Sequence, residues 1–146
     1  MPPGLALRND DAELDRLLEF AGEFSRRHAL PDEERSRLLI ILDELFTNIV
    51  KYGYEGKPVQ GRIEVDLSLQ GGRLIIDFID DGVPFDPLAA PPPDVDLPIE
   101  ERQLGGVGLA IVRALVEEAG YRREGERNHL TLGRKVATAP TISSSA

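Results

Sequence analysis

Leu74-Ile75-Ile76-Asp77-Phe78-Ile79-Asp80-Asp81-Gly82-Val83-Pro84-Phe85-Asp86-Pro87 is the stretch on which the reading of this chain turns. Its first six residues form an apolar run with the length and composition of a buried strand. A carboxylate pair follows at the strand end, and the glycine and prolines beyond it force a turn. About twenty residues later, Gly105-Gly106-Val107-Gly108 opens an apolar helix. A fixed carboxylate followed by a glycine-rich helix start suits a ligand with a polar base at one end and phosphates at the other.

Working outward, Ile63 to Leu69 alternates apolar and polar side chains, as a half-buried strand does. Gly71-Gly72 joins it to the run from Arg73 to Asp80, so the two read as a β-hairpin. Upstream, Leu5 to Arg8 reads as a short strand. Leu14, Leu17, Leu18, Ala21 and Phe24 recur at helical spacing, with Asp10 or Asp11 as N-cap, so residues 11 to 28 form an amphipathic helix. Pro31-Asp32-Glu33-Glu34 starts a second helix, its acids favourably placed in the first turn. That helix runs to about Tyr52 and stops at Gly53. Downstream, residues 86 to 104 hold five prolines and no helical period, and read as a lid. Val107 to Ala119 is helical. Tyr121 to Glu124 and His129 to Val136 bracket Gly125-Glu126-Arg127-Asn128 as a last hairpin. Residues 137–146 read as a disordered tail after a single domain spanning 1–136. The order predicts an α+β two-layer sandwich: a mixed, mostly antiparallel sheet with its helices on one face.

Composition narrows the function. The chain has 146 residues, 41% hydrophobic, which is enough for one core. A net charge of -9 argues against nucleic acid as a partner, because a phosphate backbone needs a basic face. There is no cysteine and only two histidines, His28 and His129, so thiolate and histidine metal centres are not expected. With no signal peptide and no apolar run of about eighteen residues, the expectation is a cytoplasmic protein without a membrane segment.

Three places carry chemistry. Glu44 and Asn48 lie one turn apart on the second helix, beside the apolar stripe Leu38, Ile41, Leu42, Leu45 and Ile49. A carboxylate there can act as general base, and an amide oxygen can ligate magnesium. The same spacing also occurs on plain solvated faces. Asp80 or Asp81 can accept from an exocyclic amine, and Gly82 lets a ligand approach the backbone. The glycines at 105, 106 and 108 can present free N–H groups to an anion. They are not the dinucleotide fingerprint, since no strand precedes them and Ile111 stands where the last glycine belongs, and there is no Walker A sequence.

Together these segments resemble the GHKL (Bergerat-fold) ATPase superfamily. Leu42-Asp43-Glu44-Leu45-Phe46-Thr47-Asn48 matches its N-box, Asp80-Asp81-Gly82-Val83-Pro84-Phe85 its adenine box, and Gly105 to Val112 its glycine box. Pro84-Phe85-Asp86-Pro87, and the end from Tyr121 to Leu132, resemble the bacterial anti-sigma-factor serine/threonine kinases of the partner-switching type. The resemblance spans roughly residues 4 to 136. It implies ATP and Mg²⁺ as cofactors. Glu44 would be the general base, Asn48 the Mg²⁺ ligand and Asp80 the reader of the adenine amine, with Gly82 beside it. Gly106 and Gly108 would lie against phosphates, and Thr131 would be the hydroxyl near adenine on a late strand. Lys51 and Arg102 would offset phosphate charge, on position and charge alone. The implied partners are a sigma factor and a STAS-type antagonist that receives the phosphate, and relatives form homodimers through their first strand and helix. Two departures stand out: Tyr52 occupies a position where many relatives have histidine, and the lid is rich in proline. Two other functions compete, a non-catalytic ATP-sensing binding module and a detached histidine-kinase-like ATPase domain.

Overall fold

A computed structural model describes residues 4–55, 61–89 and 106–136. The strand β1 (Leu5–Arg8) leads into a 3-10 turn, Asp11–Glu13, capped by Asp10, whose carboxylate accepts from the Ala12 N–H at 2.9 Å. Two helices follow, α1 (Leu14–Arg27) and α2 (Asp32–Tyr52). The hairpin β2 (Arg62–Gln70) and β3 (Arg73–Asp80) comes next, then α3 (Gly106–Leu115) and the hairpin β4 (Glu118–Glu124) and β5 (Arg127–Lys135).

The strands form one five-stranded sheet in the order β1-β2-β3-β5-β4. Every neighbouring pair is antiparallel, so the expected mixed sheet is fully antiparallel. The crossover through α3 explains this. It joins β3 to β4, which run the same way, but β5 lies between them and pairs antiparallel with both.

Strand alternation divides the sheet into two faces. Ile63, Val65, Leu74, Ile76, Phe78, Leu130 and Leu132 point to the helical side and are buried against Leu17, Phe24, Leu42, Leu45 and Phe46. Asp77, His129 and Thr131 point to the other side. Among the described residues no helix is long and apolar enough to cross a membrane.

The helix expected to reach Ala119 ends at Leu115, and Glu118, Ala119 and Gly120 pair instead with Gly133, Leu132 and Thr131. A mostly apolar stretch such as Val112-Arg113-Ala114-Leu115-Val116 does not by itself say where a helix gives way to a strand, and ladder bonds to β5 decide the boundary here. The same ladder draws Arg127 and Asn128 into β5, leaving Gly125-Glu126 as the turn. The tail 137–146, the loop 56–60 and residues 90–105 lie outside the described residues, so most of the expected lid does too.

The β2–β3 turn carries a simple test. Gly71 and Gly72 have φ of +57° and +81°, and a Cβ at Gly71 would meet nothing within 4 Å. The cost of a side chain is therefore left-handed backbone strain alone. Gly71→Ala should destabilise the fold by about 1 kcal/mol, read as a fall in the midpoint of urea unfolding at unchanged slope. An unchanged midpoint would refute this.

Candidate functional site

The site is assembled where α2, the turn after β3 and the start of α3 meet. Asn48 is 7% exposed and donates from Nδ2 to the Glu44 carbonyl at 2.7 Å, which leaves Oδ1 as the atom for a cation. Glu44 is half-buried, and its carboxylate lies against α3. A Cβ on Gly108 would fall 1.9 Å from Glu44 Oε2, so only glycine allows this contact. The N-box and glycine-box segments, more than sixty residues apart in sequence, thus touch directly.

At the other end, Asp80 closes β3 and is 4% exposed. It accepts from the Gly82 N–H and from Asn128 Nδ2, both at 2.9 Å and both on Oδ1. Oδ2 is therefore the oxygen available to a ligand amine. Burial pushes the Asp80 pKa up, against the opposing pull of these two bonds. Gly82 docks on the end of α2: its Cβ would fall 2.2 Å from the Gly53 carbonyl, which accepts from the Val83 N–H at 2.8 Å.

The residue pattern alone left Asp80 and Asp81 as alternatives, the family resemblance favoured Asp80, and the structure gives the two carboxylates different partners. Asp81 turns away and accepts from the Tyr54 hydroxyl at 2.6 Å and the Arg62 N–H at 2.9 Å. Burial, reinforced by Asp81, holds the Tyr54 phenol well above its usual pKa, so it stays a donor. Asp81 is an anchor between the α2 end and β2, while Asp80 is buried between the Gly82 turn and Asn128 of β5.

Other expected residues are placed less centrally. Thr131 does not join the site. Its hydroxyl donates to Asp77 at 2.7 Å on the opposite face of the sheet, where His129 also meets Asp77. The reason is register: Asp80 pairs with Asn128, and three residues further along an alternating strand is the wrong face. Lys51 is exposed on the last turn of α2, its ammonium 5.2 Å from the Tyr52 ring centroid. That ring lies 6.1 Å from the Phe85 ring. Gly106 is the first residue of α3. Arg102 lies outside the described residues.

Sequence reading missed Asn128, which is 2% exposed. Its Nδ2 donates to Asp80 and, at 2.7 Å, to the Val83 carbonyl. Its Oδ1 accepts from the Tyr121 hydroxyl, the Phe85 N–H and Arg123 Nη1. Arg123 also donates to the Gly82 carbonyl at 2.7 Å. One amide thus holds the whole turn from Asp80 to Phe85. Its position beside Gly125 made it look like a turn residue, and only the pairing of β3 with β5, nearly fifty residues apart, reveals it.

These groups suit a magnesium nucleotide. Among the described residues no three His, Cys, Asp or Glu side chains gather to hold a metal. An ion at Asn48 would therefore draw most of its ligands from water and phosphate oxygens, as Mg²⁺ does.

Comparison with known proteins identifies the family and the fold. Residues 7–134 match the family model described as the histidine kinase-like ATPase domain. The chain is 30% identical over 99 residues to the serine/threonine-protein kinase BtrW of Bordetella bronchiseptica, covering 67% of this chain and 68% of BtrW. The structure of the RsbU and RsbW domains of Rv1364c from Mycobacterium tuberculosis is similar at a TM-score of 0.59 and 19% identity, over 95% of this chain and 35% of that one. The histidine kinase domain of a blue-light activated kinase from Erythrobacter litoralis is similar at a TM-score of 0.54 and 20% identity, over 86% of this chain and 60% of that one. This chain spans less than two thirds of either solved structure, and at such identities the likeness is one of fold. With the family model matched over residues 7–134, nearly its whole length, the chain belongs to the histidine kinase-like ATPase family, of the GHKL type.

Proposed function

We propose that this chain is an ATP-dependent serine/threonine protein kinase and anti-sigma factor of the partner-switching type. The observation that carries the reading is the Glu44 carboxylate set against Gly108 at the start of α3, with Asn48 one turn away. Asp80 Oδ2 accepts from the exocyclic amine of adenine, in a turn that Gly82 seats against the Gly53 carbonyl. The N–H groups at Gly106 and Gly108 face the phosphates, where a helix N-terminus favours an anion. Asn48 Oδ1 would hold Mg²⁺, which would offset phosphate charge. Glu44 takes the proton of the acceptor hydroxyl, turning a weak nucleophile into a competent one.

Two features support a protein acceptor over water. BtrW is named a serine/threonine-protein kinase. Beside Gly108, Val107 and Ile111 are 63% and 44% exposed, an apolar surface suited to protein contact. The family resemblance supplies the rest: the acceptor is a STAS-type antagonist, the second partner is a sigma factor, and the kinase works as a cytoplasmic homodimer. The test is incubation with Mg-ATP and candidate antagonists. Transfer to a serine or threonine is expected. Bound ATP with no transfer to any antagonist would sink the kinase reading.

A further inference from the structure

Helices α2 and α3 meet at two levels, and only one of them is the Glu44–Gly108 contact. At the other stands Arg134 of β5, whose side chain points to the helical face of the sheet and is 11% exposed. Its Nη2 donates to Glu34 Oε1 at 2.7 Å, and Glu34, in the first turn of α2, is itself 4% exposed. Its Nη1 donates to the carbonyl of Leu115, the last residue of α3. Glu34 shares a helix with Glu44, and Leu115 shares a helix with Gly108. One guanidinium therefore closes a second junction between the two helices that make the phosphate end of the site. A planar fork can serve a carboxylate and a carbonyl at once, and a cation at a helix C-terminus is electrostatically favoured.

We propose that Arg134 is a positioning residue for the phosphate end: it fixes the tilt of α3 and so sets where the Gly106 and Gly108 backbone stands relative to Glu44. This rests on the nucleotide reading above. The lever is short and effective. Gly108 and Leu115 are seven residues apart, about 10 Å along the helix axis. A tilt of about 6° at the Arg134 end moves Gly108 by about 1 Å, a misplacement that can cost about 100-fold in rate. The adenine end is held separately, by Asp80, Gly82 and Asn128. The main-chain pairing of Arg134 with Leu74 does not depend on the Arg134 side chain. Loss of the guanidinium should therefore weaken recognition of phosphates and spare recognition of the base.

The experiment compares Mg-ATP and adenosine binding by calorimetry on the full chain, in wild type, Arg134→Met and Arg134→Lys, each first confirmed as folded by circular dichroism. In Arg134→Met the dissociation constant for ATP should rise about tenfold or more, with that for adenosine unchanged. Arg134→Lys, with one point charge left near Leu115, should recover part of the ATP preference, and it carries the test if the methionine variant does not fold. An ATP-to-adenosine affinity ratio unchanged from wild type in the folded variants overturns the inference, and so does an equal loss for both ligands, which marks a purely structural role. Wild-type protein that binds neither ligand overturns the nucleotide reading itself, and this inference with it.

Discussion

Glu44→Gln is expected to lower phosphoryl transfer by about 100- to 10,000-fold, the range for losing a general base, with ATP affinity close to wild type. Glutamine has nearly the same shape and can keep the contact with Gly108, so α3 stays where it is. What it lacks is basicity: the amide cannot take the proton of an attacking hydroxyl. The split between binding and rate is the informative part. Single-turnover transfer to an antagonist and calorimetric ATP binding, measured on the same preparation, give both. Partner regulation that survives unchanged in Glu44→Gln would favour a non-catalytic nucleotide sensor. A parallel fall in ATP affinity would mean that Glu44 holds the ligand instead of activating the acceptor. Phosphohistidine formation on a partner would revive the histidine-kinase alternative.

Asp80→Asn is expected to weaken ATP binding by roughly 10- to 100-fold, the equivalent of losing one hydrogen bond to a charged group. Position makes the substitution severe. The carbonyl of the introduced amide would take over the two bonds that Asp80 Oδ1 now accepts, from Gly82 and Asn128. Its NH₂ group would then point where Oδ2 stood and face the ligand amine donor to donor. The fold should not suffer. Burial raises the Asp80 pKa, so the folded protein binds this proton more tightly than the unfolded chain does. Stability from this group is therefore full below the unfolded value, about 3.9, and falls as pH rises through the raised folded value. Asp80→Asn removes that decline, so its stability at neutral pH should equal or exceed that of wild type. Chemical denaturation at pH 4 and pH 7 checks this. A large loss of stability at pH 7 would make Asp80 a structural residue. ATP affinity in wild type should also fall on acidification at a higher pH than for an ordinary aspartate, because the amine needs the ionised form.

Much of this molecule could be read from local pattern. The alternation of Ile63 to Leu69, the paired glycines at 71 and 72 and the stripe along α2 are short-range signals, and the structure keeps each of those elements. Where long-range pairing competes with a local signal, the local signal loses. Glu118 to Gly120 carry no strand pattern, yet they lie in β4 because β5 offers them ladder bonds. The family resemblance implied Thr131 as a site hydroxyl, and the β3–β5 register puts it on the far face beside Asp77. The same register put Asn128 opposite Asp80 and made it the residue that holds the turn from Asp80 to Phe85.

The sequence by itself determined the α+β class, the element order and the three boxes, because periodicity, turn chemistry and glycine placement act within a few residues of one another. Only the tertiary structure decided that Asp81 binds Tyr54 and Arg62 while Asp80 binds Gly82 and Asn128, that Glu44 rests on Gly108, and that Asn128 and not Thr131 meets Asp80. Each of these depends on which strand face or helix side meets a partner about thirty to sixty residues away. A shift of one residue in strand register would reverse the strand-borne answers without changing the local pattern of the sequence.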